Sequence, residues 1–187
     1  MPQPEPFADV AALEAFLELM GRTPSSEAEG LTELDHGLQC AAELMAVAPQ
    51  DIELQVAGLI HDLGHTVSHI RDHGVAGASL VRDLMGDRIA DLVALHIPAK
   101  RFLVTTDGTY RARLSPDSVR TLALQGGDMS PQEVAAYEDE PHGMAGLDLR
   151  RADEAAKTPG RVVPDLDYWR PALRLSLIHI SEPTRPY

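Results

Sequence analysis

An apolar stretch, Ala57-Gly58-Leu59-Ile60, runs straight into His61-Asp62 and then Leu63-Gly64-His65. Two adjacent polar side chains at the end of such a stretch need partners, because burying each unsatisfied costs about 1–3 kcal/mol. An imidazole beside a carboxylate can hold one metal ion with it, and the carboxylate can also bridge two. On these residues alone the competing reading is a satisfied helix C-terminus, where histidine favours the dipole. Further donors widen the set. His36 precedes the pair by a helix-turn-helix interval, and His73, His96 and Asp153 follow at expected helical or helix-edge positions. Four imidazoles and two carboxylates suit a dinuclear site for iron, manganese or another transition metal. His61, His65, His69 and His73 recur every fourth residue, a stripe on a continuous helix, but Gly64 interrupts it. His69 reads as a loop or surface residue, and His142, between Pro141 and Gly143, as structural or exposed.

The elements that must position these donors read as helices. Apolar residues at spacings of three and four predict helices over 10–20, 31–48, 52–63, 74–85 and 87–96, with Gly64, Gly86 and Pro98 as breaks. Ser115-Pro116 and Ser130-Pro131 each pair an N-cap with proline at the first helical position, opening helices through Leu124 and Glu138. Residues 146–157 and 164–173 complete the set. The one β-like run is Phe102–Thr106, and Pro98 marks the expected exit of the helix that carries His96. The fold class is therefore all-α.

Composition narrows the function. The 187 residues, 44% of them hydrophobic, suffice for one domain with a sizeable core. Twenty-nine acidic against 16 basic residues give a formal charge of −13, which disfavours a broad docking surface for nucleic acid or anionic lipid. The single cysteine, Cys40, excludes an internal disulfide framework and any CxxC site, so metal ligation falls to histidine and carboxylate. No run approaches a membrane span, and the proline-rich Met1–Phe7 lacks the regions of a signal peptide, so a cytoplasmic location is expected. We expect residues 1–174 to form the catalytic domain. Residues 175–187 differ in character, resemble a translated sequencing-adapter read-through, and are expected to be non-native.

The order His36, His61-Asp62 and a distal aspartate resembles the HD-domain superfamily of metal-dependent phosphohydrolases, an all-α helical bundle with a dinuclear metal site in its core. A nearer likeness is to its mixed-valent di-iron oxygenases that cleave the C–P bond of 1-hydroxyphosphonates, with the myo-inositol oxygenases as more distant kin. Five ordered segments carry it: Leu34–Ala41, the His-Asp segment, His96–Leu103, Leu114–Gly127 and Leu149–Lys157. The resemblance implies that His36, His61, Asp62 and Asp153 hold one iron and that Asp62, His73 and His96 hold the other, with Asp62 bridging an Fe(II)/Fe(III) pair. It implies dioxygen as co-substrate, and substrate contacts from His65, Lys100, Ser118 and Thr121. The chemistry is consistent, since a dianionic headgroup calls for a point charge, hydroxyl donors and a donor imidazole. Taken by themselves, Lys100 reads as a solvated helix-end cation, and Ser118 with Thr121 as capping or surface residues.

Three departures accompany the likeness. Members acting on a 2-amino substrate carry a tyrosine where this chain has Ser26, while Glu29 fits their glutamate. Asp35 replaces the usual glutamine before the first histidine; with Glu29 it implies a cationic substrate end, 2-amino or 2-trimethylammonio, by Coulomb attraction. The eight-residue step from His65 to His73 is shorter than in many relatives. A phosphohydrolase using His36, His61, Asp62 and Asp153 to activate water is the alternative, and an inactive small-anion sensor a third reading. The sequence leaves the oligomeric state open.

Overall fold

The structure, a computed structural model, describes residues 5–68 and 71–175. Its helices are α1 (Val10–Met20), α2 (Glu33–Val47), α3 (Ile52–Ile60), α4 (His73–Met85), α5 (Asp87–Thr106), α6 (Pro116–Leu124), α7 (Pro131–Glu138), α8 (Gly143–Ala155) and α9 (Leu166–Leu175). Among the described residues, extended pairing is limited to an isolated bridge between Pro24 and Thr32. No described helix is long and apolar enough to cross a membrane. His69 and residues 176–187, including His179, lie outside the described residues.

Local chemistry starts the helices where the sequence marks them. Asp9 and Asp51 accept from the backbone of Ala12 and Leu54 to cap α1 and α3. Thr32 with Asp35, and Ser130 with Glu133, form reciprocal capping boxes for α2 and α7. Ser115 caps α6 with Pro116 at its first position. The main core joins α1–α5 with α8 and α9 around Leu13, Leu44, Ile60, Val93 and Trp169; a smaller one gathers Leu103, Tyr110, Leu122 and Tyr137 beneath α6 and α7.

Helix α5 corrects two expectations. It does not end before Pro98 but runs through it to Thr106, and Phe102–Thr106, the β-like run, forms its last turns. Proline's fixed φ is compatible with a helix; what it removes is one backbone N–H. Ala99, Lys100, Leu103 and Val104 are all buried beyond it, so packing outweighs both the lost bond and β-propensity. The outcome places His96 and Lys100 one turn apart on one continuous helix.

Two glycines let the backbone close around the centre. A Cβ at Gly37, beside His36, would overlap the Leu59 carbonyl oxygen of α3; a Cβ at Gly64 would overlap the carbonyl oxygen of His73. Helices α2 and α3, and the 3₁₀ turn Leu63–Thr66 with α4, therefore touch backbone to backbone.

Candidate metal centre

Helix α3 ends at Ile60, and the two residues that follow, His61 and Asp62, turn inward among α2, α4, α5 and α8. His36 from α2, His73 from the start of α4, His96 from α5 and Asp153 from α8 converge on them, and all of these side chains are buried or nearly so. The Asp62 carboxylate is shared. Its Oδ2 lies 3.4 Å from the Nε2 atoms of both His36 and His61, whereas its Oδ1 lies 3.4 Å from Nε2 of His73, 3.5 Å from that of His65 and 3.7 Å from that of His96. Asp153 adds its Oδ1 to the first group, 3.3 Å from His36 and 3.8 Å from His61. The donor atoms of His36, His61 and Asp62, and those of Asp62, His65 and His73, form two compact sets that share Asp62.

Backbone carbonyls orient the rings. Nδ1 of His36 pairs with Ala156 O at 2.8 Å, Nδ1 of His61 with Gly58 O at 2.8 Å, and Nδ1 of His96 with Val93 O at 2.6 Å. Each Nδ1–H therefore donates, and the neutral ring presents its Nε2 lone pair to the centre. Nε2 of His36 and of His61 is buried without a hydrogen-bond partner and faces carboxylate oxygens. Nε2 of His73 and of His96 meet at 2.8 Å. Acceptors pointed at acceptors require a cation between them, either protons or metal ions. The donor set, two carboxylates with imidazoles, is that of a transition-metal site.

Titration behaviour expresses the same demand. Burial opposes charge on His36, but Asp153 and Asp62 outweigh it and push its pKa up to about 10. His61 is likewise raised against burial, mainly by Asp62. Burial alone would raise Asp62 and Asp153. The neighbouring imidazoles hold Asp62 well below the usual carboxylate range, and Arg150 with Lys157 does the same for Asp153. His96 is lowered, by burial and by His73 and His61. Protons on these histidines compete directly with metal.

Beside the centre opens a cleft whose wall includes His65, Lys100, Ser118, Thr121 and Arg150. Lys100 is buried and donates to Thr121 Oγ1 at 2.9 Å; burial and nearby Arg150 bring its pKa down to about 8. His65 is partly exposed and stacks on His73 with ring centroids 3.8 Å apart. Residue type alone does not single out Arg150. It is buried at 3% exposure and binds Asp153, Glu154, Ser118 Oγ at 3.1 Å and the Tyr110 hydroxyl at 3.0 Å. Its signal in the sequence is its position three residues before Asp153 and four before Glu154.

Two expected contacts are not brought together with the rest. Asp35 is exposed, because its carboxylate caps α2 by accepting from Thr32 at 3.1 and 2.7 Å. Glu29 is exposed as well, and the glutamate that reaches the cleft is Glu27. Half-buried Glu33, pushed up to about 7 by burial and by Asp62, is the acidic residue of α2 that senses the centre. His142 precedes α8 at its N-cap position.

Fold and centre together are those of an all-α protein whose candidate metal ligands sit on helix ends and inner helix faces. The chain belongs to the HD-domain family: residues 34–130 match the HD domain. It is 34% identical over 162 residues to a hydroxymethylphosphonate dioxygenase of Gimesia maris, covering 81% of this chain and 80% of the relative. It is 36% identical over 151 residues to a glycine-betaine-forming [1-hydroxy-2-(trimethylamino)ethyl]phosphonate dioxygenase of Leisingera caerulea, covering 75% and 76%. An uncharacterised protein of Acanthamoeba polyphaga mimivirus is 30% identical over 168 residues, covering 83% and 75%.

Proposed function

We propose that the protein is a non-haem oxygenase that uses dioxygen to cleave the C–P bond of a small 1-hydroxyphosphonate, yielding a carboxylic acid and inorganic phosphate. The observation that carries this reading is the division of Asp62, with Oδ2 toward His36 and His61 and Oδ1 toward His73 and His96, beside a cleft lined by Lys100, Ser118, Thr121 and Arg150. Two relatives that act on hydroxyphosphonates support the substrate class. His36, His61, Asp62 and Asp153 would hold one iron, and Asp62, His73 and His96 the other. When bound as an Fe(II)/Fe(III) pair, these ions supply the redox chemistry with dioxygen and the positive charge that attracts the phosphonate.

The chain's own groups bind and orient. Lys100 would offset the phosphonate's charge, with Thr121 and His65 offering hydroxyl and imidazole hydrogen bonds to its oxygens. Ser118, which donates to Glu154 at 2.8 Å, and Arg150, which is paired with Asp153 and Glu154, would have to turn from those partners to join them. Carbonyl-anchored imidazoles keep the ligand lone pairs aimed inward, so little reorganisation accompanies binding. In the overall reaction the C1–H and C1–P bonds break and dioxygen takes the four electrons they release. With hydrogen as the substituent, HOCH2PO3(2−) and O2 become formate and H2PO4(−), which balances in atoms and charge.

The test is to load the protein with iron without oxygen, record its EPR spectrum after partial oxidation, and assay phosphate release from 1-hydroxyphosphonates under oxygen. A coupled di-iron signal with oxygen-dependent release is expected. Oxygen-independent release from phosphate esters, with no coupled signal, would replace this reading with a hydrolase.

A further inference from the structure

The carboxylates around the cleft fall into two groups, and the division bears on which 1-hydroxyphosphonate enters, given the reaction proposed above. Asp62 and Asp153 belong to the histidine centre. The other two that line the cleft, Glu27 and Asp117, are already matched with cations. Glu27 Oε2 lies 2.8 Å from Lys157 Nζ, and Asp117 Oδ1 accepts from Arg120 at 3.0 and 2.6 Å. Behind them Glu154 is held by Arg150, by Lys157 at 3.1 Å and by Ser118 at 2.8 Å. Lys157, only 9% exposed, also donates to Ser118 Oγ at 2.8 Å, so it is fixed in place from several sides.

A cationic substrate end needs a free carboxylate or an aromatic face. Among the described residues no Phe, Tyr or Trp lines the cleft, and its imidazole rings, His65, His73 and His96, belong to the histidine centre. Asp35 and Glu29, which in sequence looked able to meet such a cation, are exposed. An incoming quaternary ammonium would have to displace Lys157 from Glu27, or sit unpaired among Lys100, Arg150 and Lys157.

We infer that Lys157 is a specificity-determining residue: by occupying Glu27 it closes the cleft to cationic side chains, so that the enzyme selects 1-hydroxyphosphonates bearing hydrogen or an uncharged substituent. Charge, not size, is the discriminant. The comparison that isolates it uses [1-hydroxy-2-(trimethylamino)ethyl]phosphonate against 1-hydroxy-3,3-dimethylbutylphosphonate, its uncharged carbon isostere, with hydroxymethylphosphonate as reference.

In the iron-loaded enzyme under oxygen, kcat/KM for the isostere should exceed that for the ammonium compound at least tenfold, mainly through KM. Lys157→Gln should shrink that ratio at least fivefold by freeing Glu27, and Glu27→Gln in the Lys157→Gln background should restore it. Equal or better use of the ammonium compound by the unaltered enzyme overturns the inference without help from any variant. So does a ratio that Lys157→Gln leaves unchanged in a protein with native circular dichroism. Failure to release phosphate from all three compounds would instead sink the oxygenase reading, and this inference with it.

Discussion

Arg150 grips one oxygen of Asp153, and the other oxygen of that carboxylate lies 3.3 Å from Nε2 of His36. The guanidinium thus fixes which face of Asp153 the centre receives. Removing one member of a buried ion pair strands the rest, at about 3–5 kcal/mol. Arg150→Gln should lower stability by about that amount in chemical denaturation. In variant that remains folded, bound metal measured by mass spectrometry should fall, and full metal retention would show that Asp153 does not depend on this grip.

The shared carboxylate and the single-sided histidine should behave differently when removed. Asp62→Asn deprives both donor groups of an anionic oxygen, so metal content should drop toward zero. His96→Ala touches only the Oδ1 side and should leave about one metal per chain while abolishing oxygenase activity. Equal losses from the two variants would contradict the division of donors around Asp62.

Lys100 gives the pH profile a limb of known direction. Burial and Arg150 depress its pKa to about 8, so the ammonium is present below that pH and lost above it. As a cation facing a dianion, it should make kcat/KM fall as pH rises through about 8, chiefly through KM. Lys100→Met should lower kcat/KM by about two orders of magnitude and flatten this limb, since a charge-assisted contact of about 3 kcal/mol is lost. An unchanged limb in Lys100→Met would assign it to another group.

Gly64 offers a test of the scaffold apart from the chemistry. A methyl group there would overlap the His73 carbonyl oxygen, and backbone cannot move aside as a flexible side chain can. Gly64→Ala should cost about 1–3 kcal/mol or more through overpacking. It should also displace His73, so thermal melting and metal content should decline together. Gly108→Ala, where no atom lies within 4 Å of the added carbon, is the control expected to change neither.

Sequence spacing and residue type made the six buried donors legible: His36, His61, Asp62, His73, His96 and Asp153 all meet at one centre. The helix caps Ser115 and Ser130 were equally readable, because they act through neighbours three residues away. What depends on tertiary packing was not. Asp35 has the same local pattern as a capping residue and as a site carboxylate, and only the fold shows that it caps. Arg150 looks like any helix-surface arginine until α8 is laid against α2 and α5. Pro98 follows the rule for a helix stop, and burial beyond it overrides that rule.

The continuity of α5 through Pro98 makes the helix a ruler. His96 and Lys100 are four residues apart, so the pitch sets their separation along the axis at about 6 Å. On the proposed reaction, His96 would help to hold a metal ion and Lys100 would face the phosphonate. The backbone spacing of these two anchors is thus set within one unbroken helix and does not depend on how two separate elements pack together.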